Sequence, residues 1–342
     1  MESLDLPSDI IFEILTRTSL NTLGKCRLVC KEWNHMTYES SFTRLHCERT
    51  HTILGYFIQC MSRNKRTATF VSIDKSLDSI FDMSLNFLPR SVAIEASSNQ
   101  GILYCESQEP QSLRNPRIPQ YYVCKPSTKQ WQAIPNPKTR YFTERTGMIV
   151  LGSNPLHYKI VRFSQPKFSF KSMGYYNLRC EIFDSKFWAW KQSKEIQLPH
   201  LVPLSYSPTV LASGTMYWLT THNHVFAFHV DQESWSMFPI PKPFNENDHY
   251  KKKQLVEYQG RLALICMGRE VGIEVWVMDD YGNQVWNKRQ TLNMDALRRE
   301  KCYASPHEVF TFRSDLEPNN LMGKKGFSQK LAFFPRKKVE YE

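Results

Sequence analysis

The chain has 342 residues, of which 41% are hydrophobic and 13% aromatic, and its formal net charge is +11. This length exceeds one small domain, and the apolar content supports a packed core, which excludes wholesale disorder. No apolar run reaches the roughly 18 to 20 residues needed to cross a bilayer, and the N-terminus lacks the basic and apolar regions of a secretory signal.

Short helices are predicted at the N-terminus. The first is expected to begin at Ser8, which can cap it, with Asp9 favourable in the first turn. Its apolar residues share one helical face: Ile10, Ile11, Ile14 and Leu15. Residues 16–19 are weak helix formers and predict a break. A second helix is predicted over residues 21–33, and a short third one after residues 40–41.

Helices this short cannot bury all of this apolar surface among themselves. A partner helix lying in a groove between them would cover the remainder. The alternative is a helical cap packed against a larger domain. Periodicity by itself does not decide between the two.

An ordered pattern runs through the same segment. It reads L-P-S-D-I-I-F-E-I-L over residues 6–15, R-L-V-C-K-E-W over 27–33 and S-F-T-R-L-H over 41–46. This pattern resembles the F-box of plant F-box proteins. The resemblance implies a trihelical module over residues 1–47 that binds a Skp-type adaptor and, through it, a cullin-RING ligase. The adaptor-binding residues it implies are Leu6, Pro7, Ile10, Ile11, Ile14, Leu15, Leu20, Leu23, Val29, Cys30 and Trp33, with Trp33 either the anchor or a core residue.

From about residue 52 the chain changes to short β-type runs separated by Pro, Gly, Asn, Asp and Ser. These runs predict an all-β region. They are residues 67–73, 101–105, 121–124, 148–151, 158–163, 178–183, 215–220, 225–229, 262–267 and 272–278.

A repeat is visible within this region. Four units each begin at a glycine, continue through two apolar strands and close on a tryptophan. The glycines are Gly101, Gly147, Gly214 and Gly260, and the tryptophans are Trp131, Trp188, Trp235 and Trp286. The period matches the blades of a β-propeller, about 40 to 50 residues each, and predicts about five to seven blades. The tryptophans are expected to pack between blades, and a curved β-sandwich is the competing fold.

Two segments carry a second resemblance. Residues 125–131 with Ile134-Pro135, and residues 214–218 with 225–231, are similar to the N-P-x-T-x-x-W…L-P and G-x-x-Y-W…I-x-x-F-D elements of plant F-box-associated domains. Lys125 replaces the usual Asn, and His229 the usual Phe. The resemblance implies a kelch or galactose-oxidase-like propeller over residues 52–335, followed by a tail at 336–342. The predicted fold class is therefore α+β multidomain, a trihelical F-box followed by an all-β, propeller-like domain.

The sequence offers no catalytic signature of the hydrolase, zinc-protease, nucleotide-binding or dinucleotide-binding kinds. His222, His224 and His229 lie close together, but a polar turn explains them better than a metal site. The nine cysteines are scattered without C-x-x-C spacing, which favours free thiols and a location in the nucleus or cytoplasm. We expect no cofactor, no metal, no membrane association and no enzymatic activity.

Positive charge is concentrated after the first helices. Residues 1–50 carry six Lys/Arg and seven Asp/Glu, so the remainder of the chain carries a net +12. A solvated basic surface is a better explanation than nucleic-acid binding, because the basic runs are scattered. Lys251–Lys253, at the end of a long polar connection from residue 243, is interpreted as a flexible loop and a candidate contact with the target.

Together these features predict the substrate-recognition subunit of an SCF-type (Skp-cullin-F-box) ubiquitin ligase, with an adaptor bound to the F-box and a protein target bound to the β domain. The alternative is a stand-alone propeller lectin or ligand-binding protein with a helical cap. The target protein is not identifiable from the sequence.

Overall fold

In the computed structural model, an N-terminal helical module precedes an all-β domain. The predicted tail at 336–342 and the end of the predicted strand at 67–73 lie outside the described residues. The structure describes residues 6–37, 39, 42, 45–46, 49–50, 53–62, 65–72, 83–108, 119–139, 141–153, 155–166, 175–199, 202–241, 250–268, 272–292 and 308–314.

The first helix, α1 (Ser8–Leu15), begins as predicted but is capped differently. Ser8 is its first residue, and its hydroxyl donates to Glu32 Oε1 at 3.1 Å instead of capping the helix. The N-cap is Pro7, whose carbonyl accepts from the Ile10 and Ile11 N–H groups at 3.0 and 3.1 Å. The predicted Ser8 cap is therefore wrong, because the extended backbone of Pro7 (φ −53°, ψ 143°) already precedes the first turn.

The predicted helix over residues 21–33 is two helices, α2 (Leu20–Cys26) and α3 (Lys31–Met36). Cys30 separates them because its backbone is extended (φ −155°, ψ 165°), and its Sγ accepts from the Trp33 N–H at 3.4 Å. The break predicted at residues 16–19 is confirmed, and Ser19 caps α2 through the Thr22 N–H. The segment predicted as a third helix has helical backbone at Phe42, Leu45 and His46.

A small core holds this module together. Leu15, Leu23 and Phe42 are buried at its centre. The half-buried residues packed against them are Ile11, Phe12, Cys26, Trp33 and Met36. His46 stacks on Phe42 with ring centroids 5.8 Å apart and lies 2.9 Å, through Nε2, from the Thr18 carbonyl oxygen. Burial lowers the pKa of His46 to about 4, so the ring is neutral at pH 7 and Nε2 is free to donate to that carbonyl.

The described strands form five antiparallel sheets, which we number as blades 1 to 5. Blade 1 contains β1 (Ile53–Ser62), β2 (Lys65–Ser72) and β20 (Glu308–Ser314). Blade 2 contains β3 (Val92–Ser97), β4 (Leu103–Ser107), β5 (Tyr121–Lys125) and β6 (Gln130–Ile134). Blade 3 contains β7 (Phe142–Ser153), β8 (Leu156–Gln165), β9 (Tyr175–Asp184), β10 (Ala189–Gln192) and β11 (Ile196–Pro199). Blade 4 contains β12 (Val210–Ala212), β13 (Thr215–Leu219), β14 (His224–His229) and β15 (Ser234–Pro239). Blade 5 contains β16 (Tyr250–Tyr258), β17 (Arg261–Gly268), β18 (Gly272–Asp280) and β19 (Val285–Leu292).

The blades form a five-bladed β-propeller, so the sandwich alternative is wrong. The first strands of neighbouring blades contact each other, as β3 does with β7 and β12 with β16. β20 contacts β3 in the same way. β20 therefore occupies the first-strand position of blade 1, with β1 and β2 as the second and third strands. Each of the ten predicted runs overlaps a strand of this domain.

Apolar clusters fill the spaces between successive blades, from blade 1 through to blade 5. Between blades 3 and 4, Phe163 packs edge-on against Trp218 with ring centroids 5.2 Å apart. Polar side chains also join the blades. The Gln59 amide accepts from the Ile94 N–H at 2.8 Å and donates to the Ile94 carbonyl at 3.1 Å. Thr146 Oγ1 donates to the Glu95 carbonyl at 3.0 Å.

The two faces of the propeller differ. One, which we call the short-turn face, carries the turns at residues 98–102, 126–129, 185–188, 213–214, 230–233, 259–260 and 281–284. The positive-φ residues of these turns include Ser213-Gly214 and Gln259-Gly260, two adjacent pairs typical of tight hairpins. The opposite face carries the connections between β4 and β5, β8 and β9, β15 and β16, and β19 and β20. We call it the long-connection face.

Four tryptophans mark the repeat, but not quite as predicted. Trp131, Trp190, Trp235 and Trp286 are each the second residue of the fourth strand of a blade. Trp188 lies instead in the preceding turn, with a φ of 53°. Gly101, Gly214 and Gly260 occupy positive-φ turns, whereas Gly147 lies inside β7. The predicted equivalence of Trp188 and Gly147 with the other units is therefore wrong.

Candidate functional site: the helical module and the long-connection face

The helical module exposes an apolar stripe along α1. Leu6, Ile10 and Ile14 are 55%, 46% and 50% exposed. Ile10 and Ile14 are four residues apart in α1 and therefore lie on one face of the helix, and Leu6 precedes the helix at its N-terminal end. Pro7 beside them is also exposed. Large apolar side chains aligned in this way on a folded surface indicate a site for a protein partner.

A second exposed apolar group lies at the turn between α2 and α3. Leu28 is 85% exposed and Val29 is 64% exposed, and Cys30 follows as an exposed free thiol. The extended backbone of Cys30 turns the chain here and keeps these side chains out of the core. Sequence reasoning selected Val29 and Cys30 but missed Leu28, whose exposure depends on this unpredicted break in the helix. We call the α1 stripe and this turn together the apolar surface of the helical module.

The remaining predicted site residues are less accessible. Leu15 and Leu23 are 2% and 0% exposed and belong to the core. Ile11 and Trp33 are half-buried against that core. The side chain of Leu20 lies outside the described set. Core residues of this kind hold the apolar surface in shape, whereas the exposed residues are available to a partner.

Charged side chains border the α1 stripe. Glu13 contacts Arg17 at 2.7 Å and Arg49 at 2.8 Å. Hydrogen bonds from Arg49 and Arg17 lower the pKa of Glu13, so this carboxylate remains ionised. A groove between α1 and α3 is lined by both apolar and acidic residues. Its lining residues are Ser8, Asp9, Phe12, Glu32, His35, Met36 and Glu39.

The helical module lies near the short-turn face at blade 1. The positive charge of Arg313, the penultimate residue of β20, acts on the His46 ring of the module and contributes to lowering its pKa. Ser314 marks the same end of blade 1, because its hydroxyl is 2.8 Å from that of Ser127 in the β5–β6 turn. The long-connection face is therefore on the opposite side of blade 1 from the His46 end of the helical module.

Two aromatic side chains are exposed on the long-connection face. Phe142 at the start of β7 is 70% exposed, and Tyr206 before β12 is 78% exposed. The Arg145 guanidinium lies 4.5 Å from the Tyr206 ring centroid and donates to the Leu204 carbonyl at 2.9 Å. Tyr206 is thus held on a fixed base, as suits an anchor for a protein partner. Sequence reasoning did not select either residue, because isolated aromatics in connections carry no spacing signal.

The lysine cluster that was predicted to lie in a loop is part of a strand. Lys251–Lys253 belong to β16, which begins at Tyr250, so the interpretation as a flexible loop is wrong. The Lys253 ammonium donates to Asn223 Oδ1 at 2.9 Å, which links blade 5 to blade 4. Lys252 is exposed. Lys252 and Lys253 therefore place positive charge on β16 beside the long-connection face.

The three histidines singled out earlier do not converge. His224 Nδ1 is 2.7 Å from the His222 carbonyl oxygen, and His229 Nδ1 is 3.2 Å from Thr215 Oγ1. Over the described ranges, no three His, Cys, Asp or Glu side chains are grouped as metal ligands would be. Lys125, at the position of the usual Asn, is 1% exposed at the end of β5.

None of the described helices has the length and apolar character required to cross a membrane.

Comparison with known families divides the chain in the same way as the fold. A family model described as an F-box domain matches residues 3–45. A second, described as an F-box associated beta propeller domain, matches residues 56–315.

Individual relatives agree with these family matches. The F-box protein At5g41720 of Arabidopsis thaliana is 38% identical over 189 residues, which cover 54% of this chain and 100% of that protein. The F-box protein At5g49610 of Arabidopsis thaliana is 24% identical over 311 residues, covering 85% of this chain and 80% of that protein. Among solved structures, YCF48 bound to D1 peptide has a TM-score of 0.35 at 12% identity and covers 66% of this chain and 62% of that one.

Proposed function

Because the chain belongs to the family of F-box proteins that carry an F-box-associated β-propeller domain, we propose that it is the substrate-recognition subunit of an SCF-type ubiquitin ligase. The F-box binds a Skp-type adaptor, which connects it to a cullin-RING scaffold. The propeller binds a protein target. In this role the chain is non-catalytic and acts in the nucleus or cytoplasm, where scattered free thiols such as those described here persist.

The observation that carries the proposal is the apolar surface of the helical module. Leu6, Ile10 and Ile14 are about half exposed, although a compact core lies directly beneath them. An adaptor helix lying across this surface would remove these side chains from water. Burial of apolar area at about 25 cal/mol per Å² makes such docking favourable. The core residues Leu15 and Leu23 act by holding the helices in register.

The two faces of the propeller suit the second half of this role. His46 of the F-box lies near the short-turn face of blade 1, so the long-connection face is on the opposite side of the propeller from this part of the F-box. Phe142 and Tyr206 are exposed on that face and are the aromatic anchors we assign to target binding. A receptor of this kind acts by proximity, because it raises the effective concentration of the target near a ubiquitin-charged enzyme.

The test is co-expression of residues 1–342 with a Skp-type adaptor, followed by size-exclusion chromatography. We expect a one-to-one complex that is lost when Leu6 and Pro7 are both replaced by alanine. Asp231→Asn, an exposed change on the short-turn face, serves as the control and should leave the complex intact. A folded chain that elutes alone would refute the receptor role and favour the stand-alone ligand-binding alternative.

A further inference from the structure

A cluster of acidic side chains lies at the long-connection face, where blades 1, 2 and 3 meet. Its carboxylates belong to Glu95 on β3, Glu106 on β4 and Glu308 at the start of β20. Arg66 Nη1 is 2.9 Å from Glu95 Oε1 and 3.9 Å from Glu308 Oε2. The Gln59 amide also donates to Glu308. One guanidinium group from β2 therefore faces two carboxylates.

Glu106 has no comparable partner. Over the described part of the chain, nothing donates a hydrogen bond to its carboxylate, and Arg66 and Arg162 act on it only at longer range. Arg162 is itself bound to Glu181 at 2.6 Å. Burial raises the pKa of Glu106, and it raises that of Glu95 to about 8. The cluster thus holds more carboxyl groups than the nearby cations pair with, and burial favours the protonated form of Glu95 and Glu106.

Tyr104 provides a second observation at the same place. Its side chain is 0% exposed, and among the described residues its hydroxyl has no hydrogen-bond partner. Tyr104 and Glu106 are two residues apart on β4, so both project from the same face of the sheet. Burial raises the pKa of the Tyr104 hydroxyl, and Tyr121, Glu106 and Glu95 contribute in the same direction. A buried hydroxyl without a partner is costly, because it has lost its hydrogen bonds to water.

We propose that this cluster is a pocket for one basic side chain, lysine or arginine, of the protein target. An ammonium or guanidinium group supplies a positive charge that pairs with the carboxyl groups of Glu95, Glu106 and Glu308. Its N–H groups donate both to these carboxylates and to the Tyr104 hydroxyl oxygen. A metal ion fits less well, since the described residues show no group of three metal ligands.

The charge of the whole domain makes such a pocket selective. Residues 51–342 carry a net +12 and repel basic segments in general. A target is accepted only where one basic side chain reaches the acidic pocket, so the surrounding repulsion excludes lysine-rich sequences that do not fit. The inference that the bound side chain belongs to a degradation target rests on the proposed function. The inference that the cluster binds a cationic side chain does not.

The test uses the full chain co-purified with its adaptor and a capped peptide, Gly-Ser-Arg-Ser-Gly. Matched peptides carry lysine or citrulline in place of arginine, and citrulline has the same shape without the charge. Binding is measured by titration calorimetry. We expect the arginine or the lysine peptide to bind and the citrulline peptide not to bind. Glu106→Gln should weaken binding by about tenfold or more, and Tyr104→Phe should weaken it less, since it removes only the hydroxyl. Asp231→Asn is the control and should have no effect.

Several results would overturn the pocket. The first is a citrulline peptide that binds as tightly as the arginine peptide. The second is peptide binding that is unchanged in both the Glu106→Gln and the Tyr104→Phe variants. The third is a chain that holds its adaptor but binds none of the peptides. The last of these leaves the receptor role intact. Binding of a basic peptide by a chain that does not hold an adaptor would support the pocket and remove the proposed function. The two ideas therefore fail separately.

Discussion

Arg162 and Glu181 form an ion pair with 2.6 Å between Nη1 and Oε2, and both side chains are almost fully buried, at 2% and 1% exposure. Thr139, in the connection between blades 2 and 3, donates to the same carboxylate through its N–H at 3.2 Å and its hydroxyl at 2.6 Å. Arg162 also donates to Thr143 Oγ1 at 2.8 Å. The pair thus fixes the entry of the chain into blade 3.

Removal of one partner of this pair should be strongly destabilising. Glu181→Ala leaves the Arg162 charge buried without its carboxylate, and we expect a loss of about 3 to 5 kcal/mol in the free energy of unfolding. Urea denaturation measures it. Lys191→Ala breaks an exposed pair with Glu233, in which the lysine is 71% exposed, and should cost no more than about 1 kcal/mol. Similar losses in the two variants would contradict a structural role for the buried pair.

Gly147 should not tolerate a methyl group. A Cβ at this position would lie 2.7 Å from Met216 Sδ and 3.0 Å from an atom of Trp218, between blades 3 and 4. We expect Gly147→Ala to lower stability by about 1 to 3 kcal/mol through overpacking. Gly152→Ala, in the same strand, is the matched control because its nearest contact is 3.7 Å away. Thermal denaturation of the two variants compares their stabilities. Equal melting temperatures would show that the interface between blades 3 and 4 accommodates the added methyl group without loss of stability.

Stability should fall as the pH rises from 6.5 to 8. Burial raises the pKa of Glu95 from 4.5 to about 8, so in this range the folded chain retains a proton that the unfolded chain has lost. Unfolding then releases protons and becomes more favourable as the pH rises. His46, whose pKa is lowered from 6.5 to about 4, loses its stabilising contribution only below this range. Glu95→Gln should flatten the pH dependence in urea titrations at pH 6.5 and 8, and an unchanged slope would count against a protonated Glu95.

The apolar surface and the core of the F-box should respond differently to mutation. Ile14→Asp places a charge on a half-exposed side chain, so we expect loss of adaptor binding with little change in melting temperature. Leu23→Ala removes a fully buried side chain and should cost about 2 to 5 kcal/mol in stability. Pull-down and circular dichroism distinguish the two effects. An Ile14→Asp variant that retains full adaptor binding would exclude the α1 stripe from the interface.

Much of the propeller could be predicted because its signals are local. The turn glycines at positions 214 and 260 and the tryptophans of the fourth strands recur at a blade period, and the strand runs between them are apolar. The assignment of Trp188 to the repeat was wrong because two tryptophans, Trp188 and Trp190, are separated by one residue. Only the strand register shows that Trp190 is the equivalent one, because it pairs with Phe183 as Trp235 pairs with Phe228. Gly147 also matches the spacing of the repeat in the sequence, but its backbone does not have the positive φ of the turn glycines.

The candidate pocket was beyond sequence reasoning for a different reason. Arg66, Glu95, Glu106 and Glu308 come from four strands, and Glu308 joins the other three only because β20 returns to pair with β1. A bulge between Ile94 and Ala96 shifts the register of β3 and β4 at Glu95, which no periodicity indicates. The F-box was different, since its exposed apolar residues lie in one short segment, and the features missed there were the extended backbone at Cys30 and the N-cap at Pro7.

Blade 1 is assembled from segments that are synthesised at opposite ends of the propeller domain, β1 and β2 first and β20 last. During translation, the F-box and the early blades emerge from the ribosome well before Glu308–Ser314. The helices of the F-box are therefore synthesised while the β1 edge is still open and the acidic cluster still lacks Glu308. On the proposed function, the segment that binds the adaptor is complete before the segment that selects the target, so we expect a chain terminated before β20 to bind the adaptor without recruiting a target.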